Sequence, residues 1–460
     1  MSAAIRHILE HPLFDVAVQA TRTDIDQLLE FGVDTMPLLE ELADLAALGS
    51  LDELLRFQMR LWDSPQPADF PYDEPSDAET IRAQWPRDDA TFNGERGDLH
   101  DKLAGAWLGR AAGCCLGKPL ELGLDRRQVQ EICEALGSWP LHDYLNPWPE
   151  GRFPAPTGKI TAGRHRSCTR GLIDHCPNDD DINYPLASLT CLEQHGLDWS
   201  PTKLFRLIAD ITPYGSLWSS GKNGARAAIM EMRHPAGQLF GNPTRQSLGA
   251  MIRCDTWALV SPGNVPQAAD FALRDALFTQ TRNGIYAGVF WTVAIAEALS
   301  SDSPSAALEK ALAFVPPMSR FAEMVAQCRG AHATSEWATA VDELYANHSE
   351  HLPESAQFNH ALVNSGLVIL GLLYGEGDFT RTIGLTVSGG RDTDCTGATA
   401  GSMMGAAYGL KRIPDRWYRC FNDSYRSVMA GCHNMKLTDV IARTERLALE
   451  YGRFSLGMDA

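Results

Sequence analysis

Two acidic clusters more than two hundred residues apart carry the chemistry of this chain. The first is Asn178-Asp179-Asp180-Asp181, set before the apolar run Ile182 to Ala187, and the second is Ser388-Gly389-Gly390-Arg391-Asp392-Thr393-Asp394-Cys395-Thr396. Aspartate is favoured at a helix N-cap and in the first helical turn, where unpaired N–H groups and the helix dipole attract it. That accounts for one or two acids per helix, but not for three in succession or for Asp-x-Asp beside a Gly-Gly turn. Adjacent carboxylates with apolar flanks repel unless a cation neutralises them. The donors are oxygen, with no Cys-x-x-Cys or closely spaced histidine pair nearby, so the expected ion is Mg²⁺ or Mn²⁺ rather than Zn²⁺. Four or five carboxylates suffice for two ions. His175 beside Cys176 lacks the second matched pair that a zinc site requires.

The elements that must position these acids have a pattern of their own. Gly105, Gly109, Gly113 and Gly117 recur every fourth residue, as do Gly397, Gly401, Gly405 and Gly409. On a helix each set forms a stripe bare of side chains, and an interior glycine costs roughly 0.5–1 kcal/mol relative to alanine. Four on one face imply a compensating close contact. Arg110 and Lys118 in the first run, and the Ala, Ser and Thr content of the second, argue for two soluble helices packed on each other, not for membrane spans.

Over its 460 residues the chain is 44% hydrophobic and 21% charged, and its formal net charge is −18. This balance suits a soluble protein and excludes a broad nucleic-acid or anionic-membrane surface. No stretch approaches ~20 strongly apolar residues, and the N-terminus has no signal-peptide core. Eleven cysteines without paired spacing read as buried thiols, which points to the cytoplasm. Residues 1–61 have helical periodicity, and Ser50-Leu51-Asp52-Glu53 forms a capping box. A Pro-rich, acidic arm over 63–97 lacks periodicity and suggests a linker or a segment laid over a surface. Residues 137–178 form a second irregular stretch. Helix follows helix from 98 onward, with Trp257, Trp291 and Trp417 expected in the core. The expected organisation is an N-terminal helical segment and arm over 1–97 and one catalytic domain over 98–460.

Gly105-Ala106-Trp107-Leu108-Gly109, with Gly113-Cys114-Cys115-Leu116-Gly117-Lys118-Pro119-Leu120-Glu121, resembles the first motif of the ADP-ribosylglycohydrolases. The cluster at 178–181 resembles their first metal motif. Gly389 to Asp394, with Ala400-Gly401 and Ile413-Pro414-Asp415-Arg416-Trp417, resembles their C-terminal motif. The resemblance implies an all-α orthogonal helical bundle, here preceded by a helical extension, that holds two Mg²⁺ or Mn²⁺ ions and hydrolyses an N- or O-ribosyl bond.

Residue by residue, the resemblance implies metal ligands at Asp179, Asp180, Asp392 and Asp394. Asn178 and Cys395 stand where the family has threonines and are the remaining ligand candidates. An Asn oxygen can still ligate, whereas a Cys sulfur is a poor Mg²⁺ partner, so that ligand is either lost or supplied by water or Thr396. Glu121 and Asp180 become the catalytic candidates. Asn223 and Gly224, within a loose match to the family's substrate loop, become substrate-binding candidates, as do Asn283, Gly389, Gly390 and Arg391. Arg282 and Asn364 either face the ligand or brace a helix. A histidine usual near Thr279–Tyr286 is missing. The implied partner is a small ribosyl substrate or an ADP-ribosylated protein. A nucleoside or other ribosyl metabolite on the same fold, and a non-catalytic binding or antagonist protein using residues 1–97, are the alternatives.

Overall fold

Helices succeed one another through the chain, as the scarcity of alternating β-branched segments implies. The computed structural model describes residues 3–64, 67–88, 91–121, 123–150, 152–154, 165–233, 235–350, 352 and 354–454. Part of the irregular stretch at 137–178, namely 151 and 155–164, therefore lies outside the described residues. Among those described, extended pairing is limited to isolated bridges such as Leu124 with Arg391 and Ser247 with His360. The all-α class is observed. No described helix is long and apolar enough to cross a membrane.

At the N-terminus, helices Ala3–Leu28, Met36–Leu48 and Leu51–Trp62 form a small core of their own from Ala17, Ile25, Leu42, Leu54, Phe57 and Leu61. Ser50 caps the third helix, its hydroxyl accepting from the Glu53 N–H at 3.4 Å. The arm that follows is laid over the large helical body. Buried Glu74 receives Arg320 Nε at 2.9 Å and Nη2 at 2.7 Å, the Tyr286 hydroxyl donates to the Pro75 carbonyl at 2.6 Å, and Ile81 and Phe92 enter the main core. The arm also contains a helix, Ala78–Ala83, capped by Asp77. Six residues are too few to leave a periodic signature, which is why the sequence reads there as irregular.

The glycine stripes belong to helices Arg96–Gly117 and Thr393–Tyr408, which run antiparallel in direct backbone contact. A Cβ built on Gly105 would lie 2.6 Å from the Gly405 carbonyl oxygen, and one on Gly397 would lie 2.5 Å from that of Gly113. Gly109 meets Gly401 in the same way, and Gly117 meets Thr393. Gly409 instead ends its helix with φ near +75°, a conformation glycine adopts without steric cost. Because the two helices are antiparallel, the C-terminal end of the first, leading to Lys118 and Glu121, meets the N-terminal end of the second, carrying Asp392 and Asp394. Trp107, Trp257, Trp291 and Trp417 are buried in the core around them.

Candidate functional site

The third contributor to this junction is the N-terminus of helix Asp180–His195, and its three acids have three different fates. Asp179 is the N-cap: its carboxylate accepts from the Asp181 N–H at 2.9 Å and pairs with the Lys118 ammonium. Burial opposes its ionisation, yet Lys118 outweighs burial and holds the carboxyl below the usual range. Asp180 turns to the wall of a cavity of about 570 Å³. Asp181 turns inward to fully buried Arg110, whose Nη2 reaches its Oδ1 at 2.9 Å and whose Nη1 reaches Asp255 at 2.9 Å. Arg110 Nε also donates to the Asp181 carbonyl at 2.5 Å. That carbonyl lacks its helical partner because the residue four positions on is Pro185, which has no N–H. Arg110 thus answers Oδ1 of Asp181, while its Oδ2 is buried without a hydrogen-bond partner, and a carboxylate oxygen of Asp181 lies within 4.8 Å of ligand atoms of Asp394 and Cys395.

Across the junction, Asp392 stands at the N-cap of the second glycine helix and Asp394 in its first turn. Carboxylate oxygens of Glu121, Asp392 and Asp394 lie within 4.8 Å of one another. Oδ1 of Asp392 is buried without a hydrogen-bond partner. Burial, with neighbouring carboxylates second, pushes the Asp180, Asp392 and Asp394 carboxyls up, and pushes Glu121 up to about 10. Lys118 is the one ammonium facing these acids among the described residues. An all-oxygen set of this kind, short of positive charge, suits hard divalent cations. The Cys395 thiol lines the cavity too, and burial holds it protonated well above its ordinary range, so it is a poor ligand for a hard ion.

The other residues singled out in the sequence divide between wall and scaffold. Asn178 lines the cavity, but its side-chain carbonyl already accepts from Val428 N–H at 2.9 Å and Asn183 Nδ2 at 3.1 Å, so the oxygen expected to ligate a cation braces a loop. Asn223 and Gly224 lie inside helix Ser219–Ile229, so their N–H groups do not form an open nest. Asn223 Nδ2 donates to Asn242 at 2.8 Å, and Gly224 packs on the Phe205 ring. The part of that helix that reaches the cavity is one turn earlier, at Ser219, Ser220 and Gly221, whose N–H groups have no acceptor within the helix. Asn283 is buried away from the cavity, with Nδ2 on Glu74 at 3.0 Å and on Gln246 at 2.9 Å.

Gly389, Gly390 and Arg391 do not line the cavity either; they shape the turn before Asp392. A Cβ on Gly390 would collide with the Leu124 carbonyl, and Arg391 donates its N–H to the same carbonyl at 2.7 Å while its guanidinium lies 4.3 Å from the centre of the Tyr345 ring. Asn364 braces: its Oδ1 accepts the Asp392 N–H at 3.3 Å. Arg282 stacks on Phe31 of the N-terminal segment at 3.7 Å.

Sequence reasoning missed Lys118, His165, His175 and Trp218 as cavity residues. Lys118 had a signal, since a lysine between Gly117 and Pro119, three residues before Glu121, travels with that acid. Trp218, 52% exposed at the cavity mouth, had none.

The ADP-ribosylglycohydrolase family model matches residues 95–449. Among solved structures, one described as an "ADP-ribosylglycohydrolase-related protein complex" aligns with a TM-score of 0.46 and 20% identity, covering 77% of this chain and 99% of that one. None of the curated proteins compared matches the sequence.

Proposed function

The chain belongs to the ADP-ribosylglycohydrolase family and is a glycosyl-bond hydrolase, and on that premise we propose that it cleaves the N- or O-ribosyl bond of an ADP-ribosylated protein or smaller ADP-ribose derivative, with Mg²⁺ or Mn²⁺ bound in its acidic cavity. The observation that carries the reading is the approach of Glu121, Asp392 and Asp394 to within 4.8 Å, beside a cavity that Glu121 and Asp392 line with Asp179 and Asp180. Asp179, Asp180, Asp392 and Asp394 would hold two ions. Bound there, the ions supply a positive field and Lewis acidity at the cavity floor.

The protein's own groups have separate tasks in this scheme. Glu121 holds or moves a proton at the leaving atom, as glycoside cleavage requires of one carboxyl group. Asp180 lines the same cavity as the second catalytic carboxyl, and Lys118 keeps Asp179 ionised and fixed. The free N–H groups of Ser219 to Gly221, at a helix N-terminus, suit an anionic oxygen of the substrate. All eleven cysteines are free thiols, which fits action in the reducing cytoplasm.

The test is exhaustive chelation followed by return of Mg²⁺, Mn²⁺ or Zn²⁺. ADP-ribosyl-arginine, ADP-ribosyl-serine and free nucleosides are offered together, and products are read by mass spectrometry. Turnover of an ADP-ribosyl compound restored by Mg²⁺ or Mn²⁺ is expected. Full turnover after chelation would overturn the metal, and turnover of nucleosides alone would move the substrate to ribosyl metabolites.

A further inference from the structure

The N-terminal helical segment grips the two backbone stretches that wall the catalytic cavity. Ser247, Leu248 and Gly249 line the cavity from one stretch, and Phe358 and Asn359 from the other. The stretches are joined to each other: Leu248 N–H donates to the Asn359 carbonyl at 2.9 Å, Ala361 N–H donates to the Gln246 carbonyl at 2.8 Å, and Ser247 forms an antiparallel bridge with His360. One side chain from each, Gln246 and His360, converges on Glu30. Glu30 sits in the turn Leu29–Phe31 that links the first two N-terminal helices.

The Glu30 side chain is 2% exposed, and its Oε2 faces Gln246 Nε2 and, at 3.3 Å, His360 Nε2. His360 Nδ1 accepts the Leu362 N–H at 3.3 Å, so in the neutral ring the proton resides on Nε2 and is donated to Glu30. The Glu30 backbone carbonyl accepts Arg320 Nη1 at 3.1 Å, which ties the turn to the large helical body. From His360 the connection continues inward. Its carbonyl accepts Asn364 Nδ2 at 3.0 Å, and Asn364 Oδ1 accepts the Asp392 N–H at 3.3 Å. A carboxylate outside the family-matched residues 95–449 thus stands at the head of a hydrogen-bond chain that ends on the acidic centre.

We propose that Glu30 is a positioning residue for the hydrolysis: by holding Gln246 and His360 it sets the Ser247–His360 wall against which the substrate lies. The assignment rests on the reading of this cavity as the site of ribosyl-bond cleavage. It gives the N-terminal segment a part in the reaction without any contact to substrate. Because the chain passes first through the wall and only then to Asp392, its removal acts on substrate binding more than on the chemical step.

The experiment uses the full-length protein with Mn²⁺ and ADP-ribosyl-arginine, and compares wild type with Glu30→Ala and Glu30→Gln. In parallel, amide hydrogen exchange is followed over 246–249 and 358–361. Glu30→Ala is expected to raise KM ~tenfold with kcat held within about threefold, and to speed exchange in both stretches. Glu30→Gln keeps an oxygen acceptor and restores both. If the alanine variant does not fold, Glu30→Asp, which withdraws the carboxylate by one methylene, takes its place. Unchanged KM with unchanged exchange, or a lower Tm with KM and kcat intact, overturns the assignment. If wild type cleaves no ribosyl compound, the hydrolysis reading fails, while the exchange result still decides whether Glu30 holds the wall.

Discussion

The carbonyl oxygen of Gly113 lies 2.5 Å from the point where a Gly397 side chain would begin, so the helices leading to Glu121 and from Asp392 meet backbone to backbone. Neither partner is a side chain that can swing aside. Gly397→Ala or Gly401→Leu should lower unfolding free energy by about 1–3 kcal/mol, as overpacking does. Gly330→Ala is the control: it is helical with no neighbour within 4 Å, and it should gain roughly 0.5–1 kcal/mol. Urea unfolding of the three variants decides the matter, and a neutral Gly397→Ala would contradict the contact.

The crowded acids predict a pH dependence for the metal-free protein. Glu121 is held at about 10 against an ordinary 4.5, so folded protein keeps this proton where unfolded protein loses it. Stability in chelator should therefore be greatest below the ordinary value and fall as pH rises toward 10. Glu121→Gln should flatten that fall. Chemical unfolding across pH 5 to 9 with EDTA reads the slope, and a rise in stability over that range would refute the prediction.

Asp392→Ala and Asp394→Ala should reduce turnover by orders of magnitude while leaving the chelated protein as stable as wild type or more so, because removing one carboxylate relieves its neighbours. A large drop in Tm of the chelated variants would instead assign these acids a structural duty.

Arg110→Met should be far more damaging to the fold than to metal affinity. It would strand the Asp181 and Asp255 carboxylates and two backbone carbonyls in the core, and breaking a buried pair in this way typically costs about 3–5 kcal/mol. Denaturant unfolding gives the loss, and calorimetric Mn²⁺ titration of whatever folds should show affinity retained.

Trp218→Ala and Asn283→Ala separate wall from scaffold. The first removes an aromatic surface at the cavity mouth and should raise KM about 2- to 10-fold. The second leaves Glu74 and Gln246 short of a donor, which should reduce stability by about 1–3 kcal/mol with KM unchanged. The opposite pattern would place Asn283 against substrate.

Much of this was legible in residue order because the features were local. Stripes at four-residue spacing specify a bare helical face, and acids before apolar runs specify helix starts. What was not legible depended on which way a side chain turns. Asp179, Asp180 and Asp181 are adjacent and chemically alike, yet one caps, one faces the cavity and one gives an oxygen to buried Arg110. An arginine within the glycine stripe, Arg110, required a buried acid, and that could have been inferred, though not which acid. Asn223 and Asn283 were drawn toward the substrate by motif similarity. Their amides are spent on Asn242 and Glu74, residues no local pattern connects to them.

The pairing of the glycine helices also sets a timetable. Thr393 donates to the Gly117 carbonyl across 276 residues of chain, so at ribosomal rates of about 5–20 residues per second the second helix follows the first by on the order of 15–55 s. Until then the bare backbone face of residues 105–117 has nothing to rest on. Asp179 and Glu121 have left the ribosome long before Asp392 and Asp394 exist. Assembly of the acidic centre is therefore a late event in the life of each molecule, and a chain truncated before 393 retains an uncovered helix surface.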